Sequence, residues 1–357
     1  MGIFMLALQL VCVAGISFRL KNGFEDYMSP SKTGAIKGIF VVIVFFSHVR
    51  QYISVPNAGA NKLFYSVLLF LGQLMVVMFL FYSGFGIAAS VAKKDGYVKT
   101  IPVRRILKVW LDFAIAVTIF FFVSRAIDVK YDLKQFLLSL AGLKTVGNSN
   151  WFIFVIIVLY ILTFIAFAVT GGKKHLVAGI AVTTVLSIAA TAVMWHCFGD
   201  HYWWYDTIMC YPLGMWYYVA KPYIDKKLLN NFDKWFAAVA SCAICFSALK
   251  ALLTATKGNR IVFIPMALVF AIGVVLISMR ISINNGVLRW FGSRVFGIYI
   301  LQRIPMMVLR YFGVNDEPFL YTAVCFAITI VLAEIFERST GKLDEWLHIT
   351  PKKKLKK

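Results

Sequence analysis

The sequence predicts an all-α polytopic membrane protein with about eleven transmembrane helices, and three observations carry that prediction. Hydrophobic residues make up 61% of the 357 residues and charged residues only 15%, far more apolar than a soluble domain. Apolar stretches recur along the chain, each near the roughly 20 residues a helix needs to cross a hydrocarbon core about 30 Å thick. Basic residues collect in every second connection, as they do in cytoplasmic loops.

The first stretch, residues 1–18, has no basic segment before it and is followed by Arg19 and Lys21. It therefore reads as a retained anchor with its N-terminus outside, not as a cleaved signal. Residues 33–53 form the second stretch; the third, 64–92, is long enough to contain a break at Ser83-Gly84. Stretches at 106–127, 151–170 and 176–197 follow, then 203–220, which is rich in Tyr and Trp and holds Asp206. The last four are 235–253, 261–280, 287–310 and 319–336. The predicted organisation is an additional N-terminal helix (1–20), a membrane domain (30–340) and a basic tail (341–357) ending in KKKLKK. With Met1 outside, that tail and the loops carrying Lys93, Lys94 and Arg104, or Lys226 and Lys227, fall on the cytoplasmic side. A polybasic face beside anionic lipid accounts for the net charge of +21, so no nucleic-acid partner is implied.

Lys37 and His48 lie within one apolar stretch, TGAIKGIFVVIVFFSHVRQYI. An ionisable residue inside a span is a functional-site hypothesis by default. Eleven residues of helix bring the two side chains onto one face, about 16 Å apart along the axis. A Lys there can hold a charged ligand near one surface while the His acts deeper; a lone His near a helix end can equally be a hydrogen-bonded interface residue. In YVKTIPVRRILKVWLDF, Arg105, Lys108 and Asp112 share a face. The two cations suit the phosphates of a nucleotide-bearing donor, or simply anionic headgroups. Ser83 and Gly84 interrupt a long apolar run, which fits irregular backbone lining a cavity or a close helix contact. Arg303, just before Pro305, should face the bundle interior, paired with Asp206 or Asp112, or reach the outer interface at an acceptor end.

Six cysteines, including the Cys242/Cys245 pair one turn apart, sit mostly in apolar spans and read as packing, without a disulfide framework. His196, Asp200 and His201 read as a polar turn flanked by interfacial aromatics, and no metal site is expected.

These residues together resemble the membrane acyltransferase 3 family. Lys37 and His48 look like its Arg/Lys-x10-His, FYSGFGI like its FxxSGFxI segment, and Arg105 and Lys108 like its Arg-x-x-Arg with Lys in second place. Trp151-Phe152 resembles the pair that opens a middle helix, and FGSRVFGIYILQ resembles a late segment usually read as LGxxSYxLYLxH. Of that segment Gly292 and Tyr299 are retained, whereas Val295-Phe296 and Gln302 depart from it.

The resemblance implies transfer of an acyl group, most often acetyl, from cytoplasmic acyl-CoA to a hydroxyl of a glycan or lipid-linked sugar at the outer face. His48 would act as general base or acyl carrier with Lys37 beside it, and Arg105 and Lys108 would grip the CoA phosphates. Ser83, Gly84, Trp151, Tyr299 and Arg303 would line the cavity or the acceptor end. Acyl-CoA is then a co-substrate, with no tightly bound cofactor, in a multi-pass plasma-membrane protein whose C-terminus is cytoplasmic. Two other readings stay open: a transporter or flippase of a lipid-linked sugar, and a non-catalytic membrane scaffold.

Overall fold

The computed structural model describes residues 1–283 and 285–349, so the KKKLKK tail lies outside the described residues. In chain order the elements are α1 (Gly2–Val13), β1 (Ile16–Phe18), α2 (Pro30–Val49), α3 (Asn61–Leu71), α4 (Leu74–Lys93) and α5 (Tyr97–Ile101). A π-helical turn, Pro102–Leu107, leads into α6 (Lys108–Ala126), followed by α7 (Leu133–Leu140), α8 (Trp151–Thr170), α9 (Leu176–Phe198), α10 (Cys210–Leu228) and α11 (Phe232–Ala255). The chain ends with α12 (Arg260–Ser278), β2 (Ile281–Ile283), α13 (Gly286–Ser293), α14 (Val295–Leu301), α15 (Arg303–Tyr311) and α16 (Pro318–Trp346). Among the described residues, eight helices are long and apolar enough to cross a membrane.

Four stretches differ from the single helices expected of them. Residues 1–18 form a 12-residue helix and then a short strand; at 1.5 Å per residue that helix is only about 18 Å long. The run at 64–92 breaks at Gly72, whose φ of +47° is left-handed, and not at Ser83-Gly84, which lie inside the unbroken α4. The Tyr- and Trp-rich stretch opens with a 3₁₀ turn, Tyr202–Trp204, and becomes α-helical only from Cys210. Residues 287–310 fall in three short helices, α13, α14 and α15.

Polar side chains supply what these interruptions leave unpaired. β1 pairs antiparallel with β2 in the register Ile16↔Ile283 and Phe18↔Ile281. Beside them, the Asn285 amide nitrogen donates to the carbonyls of Val11 and Ala14, at 2.8 and 3.0 Å. Its oxygen accepts from the backbone of Val287 and Leu288, at 2.9 and 3.3 Å. One side chain thus caps the end of α1 and the start of α13. The Arg280 guanidinium, fully buried, donates to the carbonyls of Arg19 (3.0 Å), Leu20 (2.6 Å) and Leu229 (3.0 Å). It ties the linker after β1 to the turn between α10 and α11.

Glycines set the closest helix approaches. A Cβ on Gly38 would stand 2.0 Å from the Leu288 carbonyl oxygen, and one on Gly292 would stand 1.8 Å from that of Gly34. The same reciprocity joins α4 to α10, where Gly84 meets the Tyr211 carbonyl oxygen and Gly214 that of Phe81, both at 2.0 Å. Backbone-to-backbone contact of this kind is how helices associate in lipid, where burial of apolar surface gives no preference. Gly84 therefore serves packing and does not face a cavity.

Gly84→Ala should cost about 1–3 kcal/mol by forcing α4 and α10 apart. Gly86→Ala, with nothing within 4 Å of the added carbon, should be nearly neutral. Thermal unfolding of the two variants in the same detergent checks the contrast.

Candidate active site

Two cavities are sunk into the bundle, and they share one side chain. The first, about 310 Å³, is lined by Lys37, Tyr82, Ser83, Gly86, Arg105, Tyr160, Phe152 and Tyr299, among others. The second, about 720 Å³, is lined by Ser47, His48, Gln51, Gln73, Trp151, Tyr202, Trp203, Lys250, Arg260, Tyr299 and Arg303, among others. Tyr299 on α14 borders both. Lys37 and His48 lie on one helix but at different cavities, one toward each end of α2.

α2 is held in register by its start. Ser29 accepts from the Lys32 amide and Pro30 opens the helix, a residue pair suited to an N-terminus. Gly34 and Gly38 turn one face of α2 against α13, which leaves the neighbouring position, Lys37, for the smaller cavity.

In that smaller cavity, Ser83 Oγ and the Tyr160 hydroxyl lie 2.8 Å apart. Arg105 enters from the π-helical turn and donates from Nε to the Tyr97 hydroxyl at 3.1 Å. Neither Lys37 nor Arg105 makes an ion pair among the described residues, and no carboxylate lines the cavity. Lys108 is not brought there. Its ammonium pairs with Asp112 at 3.0 Å and with Asp344 on α16, tying α6 to the end of the last helix.

At the junction the His48 and Tyr299 rings lie 6.3 Å apart, and Phe152 lies 5.6 Å from Tyr299. His48 Nδ1, the Tyr299 hydroxyl and Gln302 Oε1 are buried without a hydrogen bond of ordinary geometry. Buried polar groups are normally satisfied, and exceptions need a reason. Three such groups lie beside one another where the two cavities meet.

Arg303 faces the larger cavity, through neutral partners and not through Asp206 or Asp112. Its Nε donates to Ser149 Oγ at 3.0 Å and one Nη to Gln51 Oε1 at 2.8 Å. Asp206 instead has Arg260 Nη1 3.9 Å away. Trp151, the first residue of α8, lines the same cavity.

Such a bundle, with a cation-bearing cavity at one end of α2 and an imidazole-bearing one at the other, defines a polytopic membrane protein built around an internal polar site. A family model described as an acyltransferase domain matches residues 34–338. The chain belongs to the membrane acyltransferase 3 family and carries its acyltransferase domain. No curated protein and no solved structure matches it.

Several lining residues escaped the sequence reading. Lys250 sits within the apolar α11, so the rule that flagged Lys37 would have flagged it too. Tyr82 and Tyr160, mid-span hydroxyls at the smaller cavity, carry a fainter signal because tyrosines are common in membrane helices. Arg260 opens α12 and resembles any helix-flanking cation by sequence.

Removing one partner of a buried ion pair is costly, and Lys108 keeps 30% side-chain exposure, so Lys108→Ala should cost only about 1–3 kcal/mol. Lys37→Ala, which breaks no ion pair, should shift the unfolding temperature far less. Parallel thermal scans in detergent give the comparison.

Proposed function

We propose that this acyltransferase is an O-acyltransferase, in the simplest case an O-acetyltransferase, that passes an acyl group from acyl-CoA to a hydroxyl of a glycan or lipid-linked sugar. The single observation that carries the reading is the meeting of two chemically different cavities at Tyr299, beside His48. The smaller has Lys37 and Arg105 uncompensated by carboxylates, suited to the phosphates of an anionic donor. Its 310 Å³ fits the narrow thioester-bearing arm of acyl-CoA, with the phosphates at its cationic wall and the adenosine remaining outside. Lys108, committed to Asp112 and Asp344, supports α6 and so positions Arg105.

The larger cavity combines aromatic faces with amides and hydroxyls, the usual surroundings of a sugar. In the reaction His48 takes the proton of an acceptor hydroxyl, and the alkoxide oxygen attacks the thioester carbonyl. The carbon–sulfur bond breaks as the oxygen–acyl bond forms. The imidazolium then returns its proton to the thiolate, giving free CoA and an O-acylated acceptor. Tyr299, whose hydroxyl makes no hydrogen bond of ordinary geometry among the described residues, would donate to the developing oxyanion. No tightly bound cofactor enters this scheme. On this reading the Lys37 end faces the cytoplasm, the side favoured by the basic loops, and the His48 end faces outside, with the N-terminus outside and the C-terminus inside; the family resemblance suggests a plasma membrane.

The test is release and transfer of label from radiolabelled acetyl-CoA by the protein in nanodiscs. His48→Ala should lower turnover about 10²–10⁴-fold, the range of a lost general base. Arg105→Ala should weaken acetyl-CoA binding about tenfold or more while changing kcat little, since it removes a charge-assisted bond made in both ground and transition states. Wild-type protein that neither binds nor consumes acetyl-CoA or other acyl-CoAs would overturn the proposal in favour of a transporter.

A further inference from the structure

The larger cavity is charged in a way that acyl transfer to a neutral sugar does not require. Lys250 near the end of α11, Arg260 at the start of α12 and Arg303 at the start of α15 all line it, and no carboxylate does. Asp206, with its side chain fully buried, lies 3.9 Å from Arg260, and the exposed Asp200 shares a separate, neighbouring pocket with Arg260. Among the described residues Lys250 donates only to the Phe70 carbonyl, at 3.3 Å, and Arg303 only to the neutral oxygens of Ser149, Gln51 and Tyr52. Three cations from three helices against one recessed carboxylate leave the cavity net positive. Under the proposed orientation this is also the side on which basic residues are scarce, so membrane topology does not explain their convergence.

We infer that the acceptor is an anionic glycan, one bearing a phosphate or a carboxylate close to the hydroxyl that is acylated. The inference rests on the acyltransferase reading and specifies its acceptor. Arg and Lys at the cavity wall match phosphate or carboxylate oxygens. The faces of Trp151 and Trp203 suit the C–H surface of a sugar ring. His48 stands in the same wall, so an anion held among Lys250, Arg260 and Arg303 brings a neighbouring hydroxyl to the imidazole. An anionic lipid headgroup offers the same charge. The indole faces and the polar lining suit hydroxylated rings over acyl chains, which favours the glycan.

The experiment measures binding without acyl-CoA, to the full chain in phosphatidylcholine nanodiscs, of three probes of equal length: a glycerol-phosphate oligomer, an oligogalacturonate and a neutral maltooligosaccharide. At least one charged probe should bind about tenfold or more tightly than the neutral one, weakening as salt rises. The preference should shrink to about twofold in the Lys250→Gln/Arg260→Gln double variant, return in Lys250→Arg/Arg260→Lys, and persist when phosphatidylglycerol replaces half of the lipid. Equal binding of charged and neutral probes, binding of none, or a preference unchanged in the double Gln variant would overturn the inference. Loss of the preference in phosphatidylglycerol would also overturn it, by assigning the cavity to a lipid headgroup. Because no donor is present, failure here leaves the turnover test on His48 standing, and failure of that test leaves the charge preference to be read by itself.

Discussion

The approach of α13 to α2 is the contact on which the rest of the site depends. Gly38 and Gly292 let the Leu288 and Gly34 carbonyls come where a Cβ would otherwise stand. A half-length helix can then lie flat against the first half of α2. The chain turns at Arg294 and starts α14 beside the same helix, which brings Tyr299 alongside His48. Were α13 displaced by a side chain at either glycine, α14 would move with it, and the boundary between the two cavities would be lost. That boundary is made by one residue, so small shifts matter there.

The fold solves the associated problem of non-helical backbone inside an apolar bundle with a few polar side chains. Asn285 serves two helix ends at once, and Arg280 gathers carbonyls from two separate segments, residues 19–21 and Leu229. An unpaired amide or carbonyl in hydrocarbon costs several kcal/mol, so these residues are structural even though both are ionisable or strongly polar. The contrast with His48, Tyr299 and Gln302 is instructive. Their buried polar atoms lack hydrogen bonds of ordinary geometry and sit together where the two cavities meet, whereas Arg280, although its Nε is also left over, spends its other nitrogens on backbone carbonyls.

Much of this was legible in the sequence because it is local or compositional. Hydropathy identifies most of the long helices, helical spacing places Lys37 and His48 on one helix, and the ordered motifs point to the family. What was not legible depends on residues far apart in the chain. The pairing of Ile16 with Ile283 converts the end of an apparent span into a strand, and no window of sequence contains both partners. Lys108 looked like a ligand-binding cation beside Arg105, and its partner Asp344 lies 236 residues away. Gly72 breaks the third stretch through a left-handed φ, whereas Ser83-Gly84, the more conspicuous interruption, remains helical because the Gly84 contact with α10 needs an intact helix. Lys37 and His48 share a face by spacing, yet Tyr299, far from both in the sequence, stands at the border between their cavities.

In the proposed mechanism an acyl group would pass from one cavity to the other beside His48 and Tyr299, with donor and acceptor on opposite sides of the membrane. The most direct measurement uses sealed proteoliposomes of uniform orientation, with labelled acetyl-CoA enclosed or added outside and the acceptor glycan confined to the other compartment. The account predicts labelled acceptor when acetyl-CoA is on the Lys37 side and the acceptor on the His48 side, and none with the two exchanged. Transfer only when both substrates occupy the same compartment would contradict it.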